Sequence, residues 1–283
     1  MALRKTFAIV AGLALAACAT KLVYQRLDWL ISWRLHDYVT LDEAQNAKFK
    51  DSFATLWKWH RAHELPRYST DLREIADKID SRVTITPQQV AAYSQRFQRH
   101  WENLMSRTID SVCDITRSLD DREVREILEG VDAKTADFAK EYVAPPEREQ
   151  RAQSEKRTAK WIMRWTGSLN DTQQKMLDDW SAKRRAIGKT WLDQRKAWRD
   201  QFATALAARK SSPECNAFRP LFATPMDQVS DAGAGDIAYN QDQWNRMIAD
   251  VLAAADDRQL SHAASELRDM AQQLDELAAM PAR

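Results

Sequence analysis

The chain has 283 residues, 42 basic against 41 acidic, with 44% hydrophobic and 29% charged side chains. That is the composition of a globular protein large enough for one domain or two closely packed halves, and its near-zero charge excludes the basic field that general nucleic-acid binding needs. Only six glycines occur, and four of the eight prolines fall in two short segments, Pro145-Pro146 and Pro213 to Pro220, so long stretches are free to be helical.

Residues 1–17 read as a secretory signal peptide. Arg4 and Lys5 form a basic start, and an uncharged run from Thr6 to Ala17 follows. A spanning helix needs about 20 apolar residues, more than lie between Lys5 and Lys21. The run ends in Leu15-Ala16-Ala17-Cys18, which resembles a bacterial lipobox. The resemblance implies that the Cys18 sulfur takes a diacylglyceryl group, that cleavage precedes Cys18, and that the new amine is acylated. At roughly 0.8 kcal/mol per buried methylene, two or three such chains make a stable anchor where one holds marginally. Ala19 stands where an inner-membrane lipoprotein commonly has Asp, so the expected location is the outer membrane, facing the periplasm. Removing Arg4 and Lys5 leaves 40 basic and 41 acidic residues in a mature chain of 18–283, with possible halves 18–144 and 145–283.

A helix is predicted over 22–38, directly after the lipidation site. Tyr24, Arg26, Trp29, Trp33 and Arg34 are residue types that favour a membrane interface. Apolar residues occupy most of the circumference, however, and this favours burial of the helix in a bundle.

Further helix starts are marked by a recurring pattern of an apolar residue, a capping residue, two spacers, and Gln or Glu. It occurs at Leu41-Asp42 with Gln45, Ile85-Thr86 with Gln89, Leu119-Asp120 with Glu123, Leu169-Asn170 with Gln173 and, more weakly, Ala255-Asp256 with Gln259. In such a capping box the Asp, Thr or Asn side chain accepts from the amide three residues on, and the Gln or Glu reaches back to the cap amide. Helices are therefore predicted over 42–64, 69–81, 86–116, 120–142, 147–166, 170–210, 236–254 and 257–279. Pro66, Pro145-Pro146, Gly167, Pro213 and the Gly233-Ala234-Gly235 turn fall between them as breakers. No stretch alternates as a strand does, so the predicted fold is an all-α, elongated multi-helix bundle. Leu177, Trp180, Ile187, Trp191, Trp198, Phe202 and Leu206 form the apolar seam of 170–210, a helix that would be about 60 Å long, with 86–116 its expected neighbour. Arg184 and Arg195 interrupt that seam and are expected to snorkel outward.

Cys113 and Cys215 admit two readings, a bridge in an oxidising compartment or two unrelated buried thiols. Trp161, Trp165, Trp180, Trp191 and Trp198 interleave with arginines, yet their helical spacing favours packing over an anion-binding face. From Glu147 to Lys210 the chain holds 16 basic and 8 acidic residues, leaving the rest of the mature chain acidic. His60, His63 and Glu64 are the only hint of a metal site, with His36 and His100 elsewhere. The spacing matches no zinc motif, and cap and packing roles are favoured. There is no phosphate loop, nucleophile elbow or other catalytic signature; no cofactor and no enzymatic activity are expected.

The segments Tyr24-Gln25-Arg26-Leu27-Asp28-Trp29, Asp37 to Gln45 and Trp59-His60-Arg61-Ala62-His63-Glu64-Leu65-Pro66-Arg67-Tyr68 resemble a family of bacterial lipoproteins known as domain of unknown function 6279. Tyr142 to Pro146 and the tryptophan-rich helix are similar to it in layout. The resemblance implies a lipoprotein with a helical fold and carries over no catalytic residue. The caps are also distantly similar to the LTxxQ repeats of small periplasmic chaperones such as Spy and CpxP, although no copy here reads Leu-Thr-x-x-Gln. The resulting expectation is a lipid-anchored, protein-binding helical module of the cell envelope, chaperone-like or part of an envelope complex, with the membrane and an envelope protein as partners. The alternative is a cell-wall enzyme or metal-dependent accessory using carboxylates or histidines that the sequence does not single out.

Overall fold

The computed structural model describes residues 24, 26–211, 215–223 and 231–280. The signal peptide 1–17 and Cys18 lie outside the described residues, within which there is helix and no strand. In chain order the helices are α1 (Leu27–Leu35), α2 (Glu43–His63), α3 (Leu65–Asp80), α4 (Pro87–Ser118), α5 (Asp121–Tyr142), α6 (Glu147–Thr166), α7 (Asp171–Lys183), α8 (Gly188–Ala207), α9 (Arg219–Ala223), α10 (Asp231–Ala253) and α11 (Asp257–Ala279). Among the described residues none is long and apolar enough to cross a membrane.

All five capping boxes are formed, opening α2, α4, α5, α7 and α11. Four of them also meet in pairs. Gln45, at the start of α2, donates through Nε2 to the Glu123 carboxylate at the start of α5 (2.9 Å) and to the Ser118 carbonyl (3.0 Å). Gln173 and Gln259, at the starts of α7 and α11, exchange side-chain amide hydrogen bonds of 3.2 and 2.9 Å. Their Nε2 groups also reach the Val251 and Ser168 carbonyls. All four side chains are buried, and their polar atoms find partners within the bundle.

Two antiparallel helix pairs frame the molecule. Along α3 and α11, Arg73 pairs with Asp275, Arg268 with Asp77 and Asp80, and Arg82 with Asp257, so residue numbers rise on one helix as they fall on the other. Beneath these exposed pairs Leu72, Ala76 and Ile79 pack against Ala264, Leu267 and Ala271. Small residues on both helices allow the close approach. Along α5 and α8, Asp121 pairs with Arg209 and Asp132 with Arg199, and Arg195 lies over Phe138. A second core joins Val39, Ile109, Leu119, Phe202, Leu206 and Phe218, and a third joins Ile162, Leu177, Trp180, Met247 and Val251.

Several boundaries differ from the sequence reading. The predicted helix 170–210 is broken at 184–187. There Asn240, reaching from α10, takes the Arg185 amide on Oδ1 and donates Nδ2 to the Arg185 carbonyl, both at 2.9 Å, so neither backbone group serves a helix. The chain restarts at Gly188, whose backbone lies so close to the Tyr142 carbonyl that a Cβ would come within 2.6 Å of it. The two resulting helices take different neighbours, α7 packing on α6 and α10, and α8 mainly on α5 rather than on 86–116. Pro66 is not a breaker, since it occupies the first turn of α3, where its missing N–H costs nothing. Gly233 and Gly235 lie inside α10 rather than in a turn. The expected burial of the first helix is also overturned. Trp29 and Trp33 of α1 are 62% and 52% exposed, because the helix touches the bundle along α2 and leaves its aromatic side uncovered.

Cys113 in α4 and Cys215, just before α9, form a disulfide with Cα atoms 5.9 Å apart. Both are buried in the core that holds Ile109, Leu206 and Phe218.

Candidate functional site

A buried polar network gathers where α2 passes into α3. A single residue, Glu64, lies between the two helices, and its side chain is fully buried. Its Oε1 accepts from Asn103 Nδ2 at 2.6 Å and from Arg67 at 3.2 Å. Its Oε2 accepts no hydrogen bond among the described residues and lies 3.6 Å from His100 Nδ1. On the other side of that ring, His100 Nε2 is 2.7 Å from Asp71 Oδ2, so the Asp71 carboxylate orients the imidazole. Arg96 joins Asp71 (2.8 Å) to Glu74 (2.6 Å). Its hydrogen bond and charge hold the Glu74 carboxyl below the usual range.

Aromatic rings extend the network. Tyr68 stands edge-on to both His100 and His60, with centroids 4.7 and 5.6 Å away. His60 stacks on Trp57 and shares a 3.1 Å hydrogen bond with the Tyr24 hydroxyl. Burial, with the Glu64 charge nearby, pushes the Tyr68 hydroxyl up to about 12. Burial alone lowers His60 from 6.5 to about 4. The unfolded chain therefore takes up a proton that the folded ring refuses, and the stability this confers is complete above about pH 6.5 and lost as pH falls toward 4. The urea midpoint is expected to drop over that window in the natural chain and to drop less in His60→Phe, which keeps the stack on Trp57. Equal pH dependence in both proteins would contradict the assignment.

Glu64 does not face solvent directly. Arg67 and Asn103 stand between it and a polar cleft of about 640 Å³ between α2 and α4, lined also by Trp59, His63, Arg107 and Asp110. Arg107 lies over the Trp59 ring at 5.5 Å, and Trp59 stacks on His63. The buried carboxylate thus fixes two hydrogen-bond donors at the floor of a cleft with an aromatic wall. This arrangement suits holding a polar ligand, because Arg67, Asn103 and Arg107 offer donors beside the Trp59 ring, with His63 and Asp110 also in the lining.

The residues singled out from the sequence are distributed as follows. Cys18 lies outside the described residues. Tyr24 turns inward to His60, while Arg26, Trp29, Trp33 and Arg34 are surface residues, the two indoles stacked at 6.4 Å with Arg34 over Trp33. His60, His63 and Glu64 do not converge. His63 Nδ1 contacts the Trp59 carbonyl, His60 is engaged by Tyr24, and Glu64 by Arg67 and Asn103. Among the described residues no group of His, Cys, Asp or Glu is arranged to hold a metal ion. Asp71, Asn103 and Arg107 are absent from the sequence reading, Arg67 enters it only within the segment Trp59 to Tyr68, and His100 only as a distant histidine. A signal for them exists in the spacing. Glu64, at the N-cap of α3, lies in register with Tyr68 and Asp71 on one face of that helix, and Arg96, His100 and Asn103 share one face of α4.

The family comparison covers this network and the disulfide. The model of a family of unknown function, DUF6279, matches residues 37–231, more than half of the chain. No curated protein and no solved structure matches. The chain is a member of the DUF6279 family.

Proposed function

We propose that this protein is a lipid-anchored binding module of the bacterial envelope, tethered through Cys18 to the outer membrane, with its helices in the periplasm. It acts by holding partners, envelope proteins among them, rather than by catalysing a reaction. The observation that carries this reading is the exposed Trp29–Trp33 stack on α1, flanked by Arg26 and Arg34 on the helix that follows Cys18. Indole rings with neighbouring cations suit the headgroup region, where they add a second contact to the acyl chains. The buried Cys113–Cys215 disulfide is in keeping with an oxidising compartment. Phe97 and Trp101 on α4 and Trp161 and Met163 on α6 leave apolar surface uncovered, which supports the capture of apolar protein segments.

Cell fractionation tests the tether. The natural chain is expected with the outer membrane, Cys18→Ala in the soluble periplasmic fraction, and membrane-bound Cys18→Ala would refute the anchor. The soluble variant is further expected to suppress aggregation of a heat-unfolded model protein, less so after Phe97→Ser and Trp101→Ser. Absence of any suppression would refute the binding role.

A further inference from the structure

The α5–α8 seam opens into two cavities that share a wall. The cavity nearer the disulfide is about 440 Å³ and is lined mainly by apolar side chains, among them Leu41, Ile127, Val131, Trp198 and Phe202. Lys134 and Arg195 are the charged residues of its lining. The other cavity, about 230 Å³, lies where the chain breaks between α7 and α8 and is lined by Tyr142, Ile187, Trp191 and several arginines. Phe138 belongs to the second cavity and Arg195 to the first, and the Arg195 guanidinium rests on the Phe138 ring at 4.4 Å. From Val131 in the first lining to Tyr142 in the second, the two cavities lie in succession along α5 over about 16 Å, divided by the Arg195–Phe138 contact.

The two ends differ in charge. Arg184, Arg157, Arg151 and Arg185 line the broken-helix end against two carboxylates, Glu141 and Glu147. Arg151 is engaged by Glu147 and by the Ser181 and Ala182 carbonyls, and Arg185 by Asp236. Arg184 has no carboxylate within ion-pair distance among the described residues. It contacts the Ser154 hydroxyl and lies over the Trp180 ring at 5.0 Å. Arg157 lies over Tyr142 and likewise has no ion pair among the described residues. Burial, together with the charges of Arg151 and Arg157, lowers the Arg184 pKa, the mark of a cation short of a counter-ion. The start of α8 opens into the same cavity with no side-chain cap and no acid in its first turn. Arg184 is half-buried and Arg157 stands exposed beside it, and a partly desolvated guanidinium next to like charges is costly unless an anion joins them.

We propose that the two cavities together bind a single-chain anionic amphiphile, with its alkyl chain in the apolar cavity, its path past the Arg195 side chain, and its oxyanion headgroup between Arg184 and Arg157. The site stands apart from the tether and from protein capture. Carboxylate and phosphate headgroups both satisfy the chemistry, and either a fatty acid or a lysophospholipid supplies one.

The test uses the full chain carrying Cys18→Ala, so that no acyl chain of its own competes, and reads tryptophan fluorescence. Bromododecanoate or bromododecyl phosphate is expected to quench saturably, with at least about tenfold higher affinity than bromododecanol. Inorganic phosphate alone, lacking the chain, is expected to compete poorly. Preference for the carboxylate arm assigns a fatty acid, and preference for the phosphate arm a lysophospholipid. Arg184→Gln is expected to cost about tenfold for the anions and little for the alcohol, whereas Val131→Trp, which fills the apolar cavity, weakens all three. If circular dichroism shows Arg184→Gln unfolded, Arg157→Gln carries the same comparison. No saturable quenching by either anion, equal affinity for the alcohol, or undiminished anion affinity in the folded arginine variant would overturn the proposal.

Discussion

Breaking the Cys113–Cys215 bridge is expected to lower the free energy of unfolding by about 2–5 kcal/mol. The cysteines are 102 positions apart in sequence, so the link restricts a large part of the unfolded chain, and the loop-entropy model places the effect near the upper end, about 4.7 kcal/mol. In the folded state the bridge ties the turn before α9 to the C-terminal part of α4, in the core shared by Phe202, Leu206 and Phe218. Cys113→Ala with Cys215→Ala substitutes small apolar groups, so the measured loss reports the cross-link more than buried polarity. Urea unfolding of the double variant, compared with the oxidised and the reduced natural chain, gives the value. A loss below about 1 kcal/mol in both comparisons would show that the bridge constrains the unfolded ensemble little.

Cutting one member of the Gln173–Gln259 pair is expected to cost about 3 kcal/mol. Gln173→Leu abolishes the reciprocal half of its own capping box, strips the Val251 carbonyl of that donor, and removes both mutual hydrogen bonds with Gln259, which keeps Ser168 and Asp256. A lost cap is typically worth about 1 kcal/mol, and each buried group stripped of its partner about 1–3 kcal/mol. The double variant Gln173→Leu with Gln259→Leu is expected to lose less than the sum of the single losses, with a coupling of about 1–2 kcal/mol, because the mutual Gln173–Gln259 hydrogen bonds can be lost only once. Chemical denaturation of the four proteins in the cycle measures this. Strict additivity would mean that the two boxes act as independent caps.

The sequence was most legible where its signals are local. A capping box is complete within four residues, and each of the five opens a helix. The break at 184–187 was illegible because the group that enforces it, Asn240, lies 55 residues away, while the apolar spacing continues through the gap. Gly188 was the available sign, and its role depends on the Tyr142 carbonyl pressing against it. For α1, apolar residues around the circumference indicated burial, but periodicity does not say whether a neighbour covers both sides. The Glu64 network was half visible. Trp59 to Tyr68 is contiguous in the sequence, whereas Asp71, His100 and Asn103 join it only once α3 packs beside α4. Arg184, read as a snorkelling interruption, lies in the space that the broken helix leaves.

The paired caps also bear on the order in which the molecule acquires its structure. Gln45 and Glu123 are 78 positions apart, and Gln173 and Gln259 are 86 apart, so each clasp closes a long segment of chain. The side chain that starts a helix is thus also a non-local contact, and nucleation at these termini is finished only after loop closure. Such a topology has high contact order and folds slowly compared with bundles built from hairpin neighbours. Each clasp lies within one of the possible halves 18–144 and 145–283, whereas the antiparallel pairs α3–α11 and α5–α8 join one half to the other.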